Sequence, residues 1–172
     1  MNSCPISYYE YDKRDRKKEE KKYHTIIKCG CPSSALIPTG TAVGTTFTLE
    51  SLNLDTSCLC NPIVRLDFVS NLILTGFTGA LSIRVFKQCR GQFNQTPVGP
   101  AWTFSVTTGT TDARIFSFFV CDTDSCNKDC CNYSVVATVT TATAGTINVV
   151  NAELSAIATS KETCEDNCGR NL

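Results

Sequence analysis

IVRLDFV, residues 63–69, alternates without a slip. Val64, Leu66 and Phe68 fall on one side of an extended chain, and Arg65 and Asp67 on the other. Period-two alternation marks a strand with one face in a core and one in water. ALSIRVFK (80–87) repeats it, setting Leu81, Ile83 and Val85 against Ser82 and Arg84. Working outward, TTFTLESLNL (45–54) is rich in β-formers, and AWTFSVT (101–107) puts Trp102, Phe104 and Val106 on one side. NYSVVATVT (132–140) aligns Tyr133, Val135, Ala137 and Val139, and TINVVNAELSAIA (146–158) is a long final alternating run. ARIFSFFV (113–120) is apolar on both faces, which predicts a central strand. Turn signals sit at Gly76 and Gly79, in GQFNQTPVGP (91–100) and in TTGTTD (107–112). The body shows no helical period. The expectation is an all-β fold: an antiparallel β-sandwich in jelly-roll form, with about eight strands.

The chain has 172 residues, enough for one domain with a real core. Lys+Arg and Asp+Glu balance at 16 each, and only 19% of residues are charged. That balance points to neither nucleic acid nor a membrane as a partner. It hides an asymmetry, because from Glu10 to Lys22 every residue except Tyr11 is charged. The reading is a charged arm over residues 1–28, a sandwich body over 29–159, and a cysteine-containing tail over 160–172. Fully extended, an arm of that length spans up to roughly 90 Å, far enough to reach a neighbouring molecule. In the tail, Ser160 can cap a short helix and Gly169 can end it, which would set Cys164 and Cys168 on one face. The first residues, MNSCPISYYEYDKRDRKK, show no secretory h-region, and no segment has the ~20 apolar residues of a membrane helix. The expected localisation is synthesis in the cytosol and exposure outside once the cell lyses.

Cysteine is unusually common, at 12 residues: Cys4, Cys29, Cys31, Cys58, Cys60, Cys89, Cys121, Cys126, Cys130, Cys131, Cys164 and Cys168. All are candidates for disulfides within or between subunits. Cys29 and Cys31, like Cys58 and Cys60, point the same way in an extended chain, so each thiol is expected to pair elsewhere. Cys130 and Cys131 point to opposite faces of a strand, which suits one inward and one outward bond. The stretch CDTDSCNKDCC (121–131) could also suggest a metal. Its spacings match no zinc or iron–sulfur signature, and as a calcium loop around Asp122, Asp124 and Asp129 it lacks the glycine and terminal glutamate of an EF-hand. No metal and no cofactor are therefore expected. Nor is an enzyme: the single histidine, His24, lies in the arm, and no nucleophile elbow, phosphate loop or dinucleotide fingerprint is present.

KCGCPSSALIPTGT, LNLDTSCLCNP, FKQCRGQF, PVGPAWTFSV, FFVCDTDSC and CCNYSVVATV, in that order, resemble a family of uncharacterised cysteine-rich proteins of spore-forming clostridia, a domain of unknown function. The resemblance covers roughly residues 28–158. More loosely, the architecture is similar to that of endospore appendage subunits of bacilli, jelly rolls whose cysteine-bearing N-terminal connectors bond covalently to other subunits. That resemblance implies connector thiols at Cys4, Cys29 and Cys31, with body acceptors among Cys89, Cys121, Cys126, Cys130 and Cys131. This arm is longer and more charged than those connectors. The function expected is a structural, self-assembling subunit of a disulfide-stabilised spore-surface layer or appendage fibre. Its partners would be copies of itself and other spore-surface proteins. The alternatives are a lectin-like or adhesive jelly-roll module, for which Trp102 is the obvious ring although its strand position suits a core, and a metal-binding cysteine-rich protein.

Overall fold

The computed structural model describes residues 25–124 and 130–160. They form six strands: β1 (Thr25–Cys29), β2 (Ser33–Ile37), β3 (Thr46–Asp55), β4 (Pro62–Cys89), β5 (Thr96–Asp122) and β6 (Cys130–Ser160). No helix occurs among the described residues. Every pairing is antiparallel. β4 lies between β5 and β6, and the far edge of β6 takes β3, β2 and β1 in succession along its length.

Three strands are much longer than a sheet of this size needs. β4, β5 and β6 have 28, 27 and 31 residues. They form one antiparallel ribbon that folds over on itself, so each strand contributes to both layers. One layer is β3, the first half of β6, the second half of β4 and the first half of β5. The other is β1 with β2, the second half of β6, the first half of β4 and the second half of β5. Aromatic rings meet across the fold: Trp102 stacks on Phe118 at 4.0 Å and Phe104 meets Phe116 edge-on at 6.2 Å.

The fold-over is made by glycine and by register shifts. Gly76 (φ 56°), Gly79 (φ 140°) and Gly145 (φ 66°) are left-handed, a region that side chains disfavour. A Cβ on Gly145 would stand 2.2 Å from the Gly76 carbonyl oxygen, so the two strands can cross there only without one. The β4–β5 and β4–β6 registers slip at Leu74–Phe77, Phe77–Gly79 and Thr75–Ala80, as at corners where strands change sheets. The glycines and threonines that read as turns are thus bends inside continuous strands, and the expected eight strands become six. Of the segments read as turn signals, only GQFNQTPVGP contains a true loop, around 91–95.

The core follows the alternation. Val64, Leu66, Phe68, Leu81, Ile83, Val85, Val135, Ala137 and Val139 are all buried. Each large apolar side chain removed from water contributes about 1.5–3 kcal/mol. Two expectations are corrected. The stretch 113–120 is not a central strand: among the described residues β5 pairs only with β4 and forms an edge. Its outward residues Ile115 and Phe119 are 76% and 58% exposed. Both body boundaries also move. β1 starts at Thr25, within the segment read as arm, and Ser160 is the last residue of β6, where its hydroxyl accepts the Cys60 amide at 3.3 Å. The remaining tail lies outside the described residues, as do Cys4, His24, Cys126, Asp129, Cys164 and Cys168.

Candidate functional site

Inward positions continue past the apolar ones to the end of the sandwich. In β4 the phase of Leu81, Ile83 and Val85 carries on to Lys87 and Cys89. In β6 the phase of Val135 runs back through Tyr133 to Cys131. Cys89 faces Cys131 directly across the β4–β6 ladder, and the two form a disulfide with Cα atoms 3.9 Å apart. Cys130, on the opposite face of the strand, is half-buried. The divergence expected of the adjacent pair is observed, and Cys89 and Cys131, expected among the acceptors for an arm thiol, use their sulfurs on each other.

Next to the disulfide, Lys87 reaches across the layers. Its Nζ donates to Asp122 Oδ1 at 3.0 Å and stands 2.8 Å from Asp122 Oδ2. It also donates to the Asp124 carbonyl at 2.8 Å. Tyr133 Oη donates to Asp122 Oδ2 at 2.8 Å, and the Asp124 amide donates to Asp122 Oδ1 at 3.2 Å. Both side chains of the ion pair are at most 9% exposed, so the charges are compensated in a nearly dry site. Asp122, weighed as a calcium ligand, is fully engaged by these donors. Among the described residues no three ligand-type side chains come together. The cluster does structural work: it ties β4, β5 and β6 together at this end of the sandwich. It was hidden in the sequence because Lys87 read as an ordinary polar strand residue and Asp122 as an acid of the 121–131 connection. Their parity with Val85 and Val120 was the available signal.

The other cysteines are spread over the surface. Cys31 and Cys60 are each in a disulfide. Cys58 is exposed in a turn closed by the Leu59 amide on the Thr56 carbonyl, not in an extended triplet. Cys29 and Cys121 are exposed free thiols.

Those two thiols share a surface. On the outer face of the β1/β2–β6–β4–β5 layer, direct pairing makes rows across the strands. One row reads Ile27, Ile157, Arg65, Cys121; the next reads Cys29, Ser155, Asp67, Phe119. Farther along come Glu153, Val69 and Ser117, and later Leu36, Asn148, Ile73 and Ala113. The exposed large apolar side chains of the described residues concentrate here: Ile27, Leu36, Val69, Ile73, Ile115, Phe119 and Ile157, leaving only Val43 and Phe93 elsewhere. A cleft of about 780 Å³ crosses the face, lined by Asp67, Val69, Ser117, Phe119, Glu153 and Ser155 among others. Arg65 bonds Asp67 at 2.8 Å and lies 4.7 Å over the Phe119 ring. The Asp67 bond, then its charge, hold the Arg65 guanidinium above its usual range. Trp102 is half-buried at the edge of the core, with one face stacked on Phe118, and it also lines this cleft.

The family model for DUF4489, a domain of unknown function, matches residues 23–159. The chain belongs to that family. No curated protein matches the DUF4489 chain. Several solved structures are similar to it. One is the VP2 subviral particle of infectious bursal disease virus, with TM-score 0.42 and 12% identity. The match covers 84% of this chain but only 38% of that one. Another is a carbohydrate-binding module specific for non-crystalline cellulose, with TM-score 0.40, 17% identity, and 72% and 73% of the two chains covered. A third is a carbohydrate-binding module of the β-sandwich superfamily, with TM-score 0.32, 9% identity, and 74% and 56% covered. Likeness at this level carries no argument about what the DUF4489 chain does.

Proposed function

We propose that the protein is a structural, self-assembling subunit of a disulfide-stabilised spore-surface layer or appendage fibre. The observation that supports this most is the thiol map. One disulfide staples the interior of the sandwich, while Cys29 and Cys121 are presented outward, on an apolar face. An interior staple makes the subunit durable, and exterior thiols can make covalent contacts. The β5 edge adds unpaired backbone groups, which suit strand-edge association. In this reading the charged N-terminal arm links one subunit to the next, the partners are copies of the same chain with other spore-surface proteins, and no step is catalytic. The protein is made in the cytosol and reaches the spore surface when the mother cell lyses. Electrophoresis of native material with and without strong reductant tests the reading. A ladder that collapses on reduction supports it. A clean monomer without reductant sinks it.

A second reading is an adhesive or lectin-like module. The cleft favours it, since it combines the exposed Phe119 ring with the polar groups of Asp67, Glu153 and Ser155. Glycan binding that survives replacement of Cys29 and Cys121, and fails in Phe119→Ala, would support this reading over the first.

A further inference from the structure

The outer face of the β1/β2–β6–β4–β5 layer is apolar where a solitary sandwich should be polar. Four strands about 4.8 Å apart, over nine residues at about 3.3 Å each, make a face of roughly 550 Å². Isolated exposed hydrophobic residues are ordinary, but seven gathered on one face of this size, among polar neighbours, mark an interaction site. Two such faces pressed together bury roughly 1,100 Å², enough for a specific interface of modest strength. The charges of the face support pairing with itself. Arg65 and Asp67 already neutralise one another, so burial leaves no new unpaired cation there, and Glu153 is the remaining charge among the rows named above.

The thiols say how two copies would meet. Cys29 is on β1 and Cys121 is on β5, the opposite edges of the layer, one row apart. Strand spacing puts them about 16 Å apart, too far for a bond within one chain. A two-fold axis lying in the interface and bisecting the line between them brings Cys29 of one copy over Cys121 of the other, and Cys121 over Cys29. One symmetry operation therefore makes two equivalent contacts, as an isologous dimer requires.

We infer that this face is a homodimer interface locked by two reciprocal Cys29–Cys121 disulfides. The inference rests on the assembly reading above and names the surface that reading uses. In each bond two thiols give up two protons and two electrons to a low-molecular-weight disulfide, which leaves as two thiols. The apolar contact forms first and is weak; the disulfides make it permanent.

The test uses full-length chain, half isotopically light and half heavy, oxidised with glutathione disulfide. The expected product is a Cys29–Cys121 peptide joining light and heavy chains, in a species of twice 18.7 kDa. Both bonds need one cysteine of each kind, so Cys29→Ser alone and Cys121→Ser alone each abolish the linked peptide. Mixing the two variants restores it, with one bond per dimer and only between unlike chains. Ile115→Lys, at a site already exposed in the monomer, slows its formation by about tenfold or more, because an unpaired ammonium would enter the interface. Cys29–Cys29 or Cys121–Cys121 peptides, or a Cys29–Cys121 peptide within one chain, overturn the inference. So does native polymer that forms undiminished in the Cys29→Ser/Cys121→Ser double variant, a result that leaves the assembly reading intact. Monomeric native material sinks the assembly reading, while the oxidation with glutathione disulfide still decides the interface.

Discussion

Replacing Lys87 with methionine should be among the most damaging single changes in the sandwich. Methionine keeps the unbranched stem that fills the space but removes the ammonium. Asp122 then retains Tyr133 and the Asp124 amide as donors but loses its one ionic partner among the described residues, in a site where it is 5% exposed. Removing one member of a buried pair typically costs about 3–5 kcal/mol, because the other charge is left uncompensated. For a domain of this size 1 kcal/mol moves Tm by roughly 2–4 °C, so the loss should be about 6–20 °C. The damage should come from the stranded carboxylate, and a second variant isolates it. Lys87→Met/Asp122→Leu removes both charges and should recover most of the loss, because well-packed apolar replacements of buried pairs are often neutral. Thermal melts by circular dichroism, with the disulfides intact, measure all three proteins. If Lys87→Met melts within about 2 °C of the parent, or the double variant is no better than the single, the reasoning is wrong.

Three further outcomes follow from the same structure. Cys89→Ala/Cys131→Ala removes a bridge between residues 42 apart in sequence, and loop-closure entropy puts the loss at about 4 kcal/mol, readable as a lower denaturation midpoint under oxidising conditions. Gly145→Ala should fail to fold or melt far below the parent, since its Cβ would clash with the Gly76 carbonyl; Gly40→Ala, with a similar φ of 72° but open space around it, should lose only about 1–2 kcal/mol, and equal effects would refute the account of the corner. Asp55 is held below its ordinary pKa of 3.8, first by the Ser57 amide at 2.9 Å and next by the Ser57 side chain. Its folded-state pKa lies below the unfolded one, so this stabilisation is present above the unfolded value and disappears as pH falls through the folded value. The melting temperature of Asp55→Asn should therefore fall less steeply than the parent's on acidification below about pH 4, and parallel curves would refute the assignment.

How much of this was legible depends on how local the signal is. The alternation of Val64, Leu66 and Phe68, and of Leu81, Ile83 and Val85, is a property of adjacent residues, and it gave the core directly. The corners were misread because Gly76, Gly79 and Thr107–Thr111 interrupt the apolar pattern just as turns do. Whether a glycine ends a strand or bends it depends on whether pairing resumes beyond it, which is a long-range fact. The same holds for β5. Phe116, Phe118, Ile115 and Phe119 make a doubly apolar segment, and only the pairing shows that no strand of the described residues flanks it on one side. β1 and β2 are five residues each, too short to establish a period. The Lys87–Asp122–Tyr133 cluster could have been found, because each member sits in phase with buried neighbours. Polar residue type outweighed position in the reading.

The outer face poses the same contradiction in physical form. A strand apolar on both sides ordinarily lies inside a sheet covered on both faces. Here it lies at an edge, with Ile115 and Phe119 in water. Edges with apolar residues are aggregation templates, and sandwiches usually blunt them with charge, proline or a short strand. β5 has none of these over 113–120 apart from Arg114, whose guanidinium bonds Asp112 at 3.1 Å and lies 5.9 Å from the Phe104 ring. The sequence of β5 is thus that of a buried strand, and the single sandwich does not bury it. A second copy laid on the outer face would give Ile115 and Phe119 the cover that their composition calls for. It would also place β5 beside the partner's β1 edge, where Cys29 lies opposite Cys121. The apolar pattern and the two free thiols therefore point to one surface for independent reasons, the first from solvation and the second from symmetry.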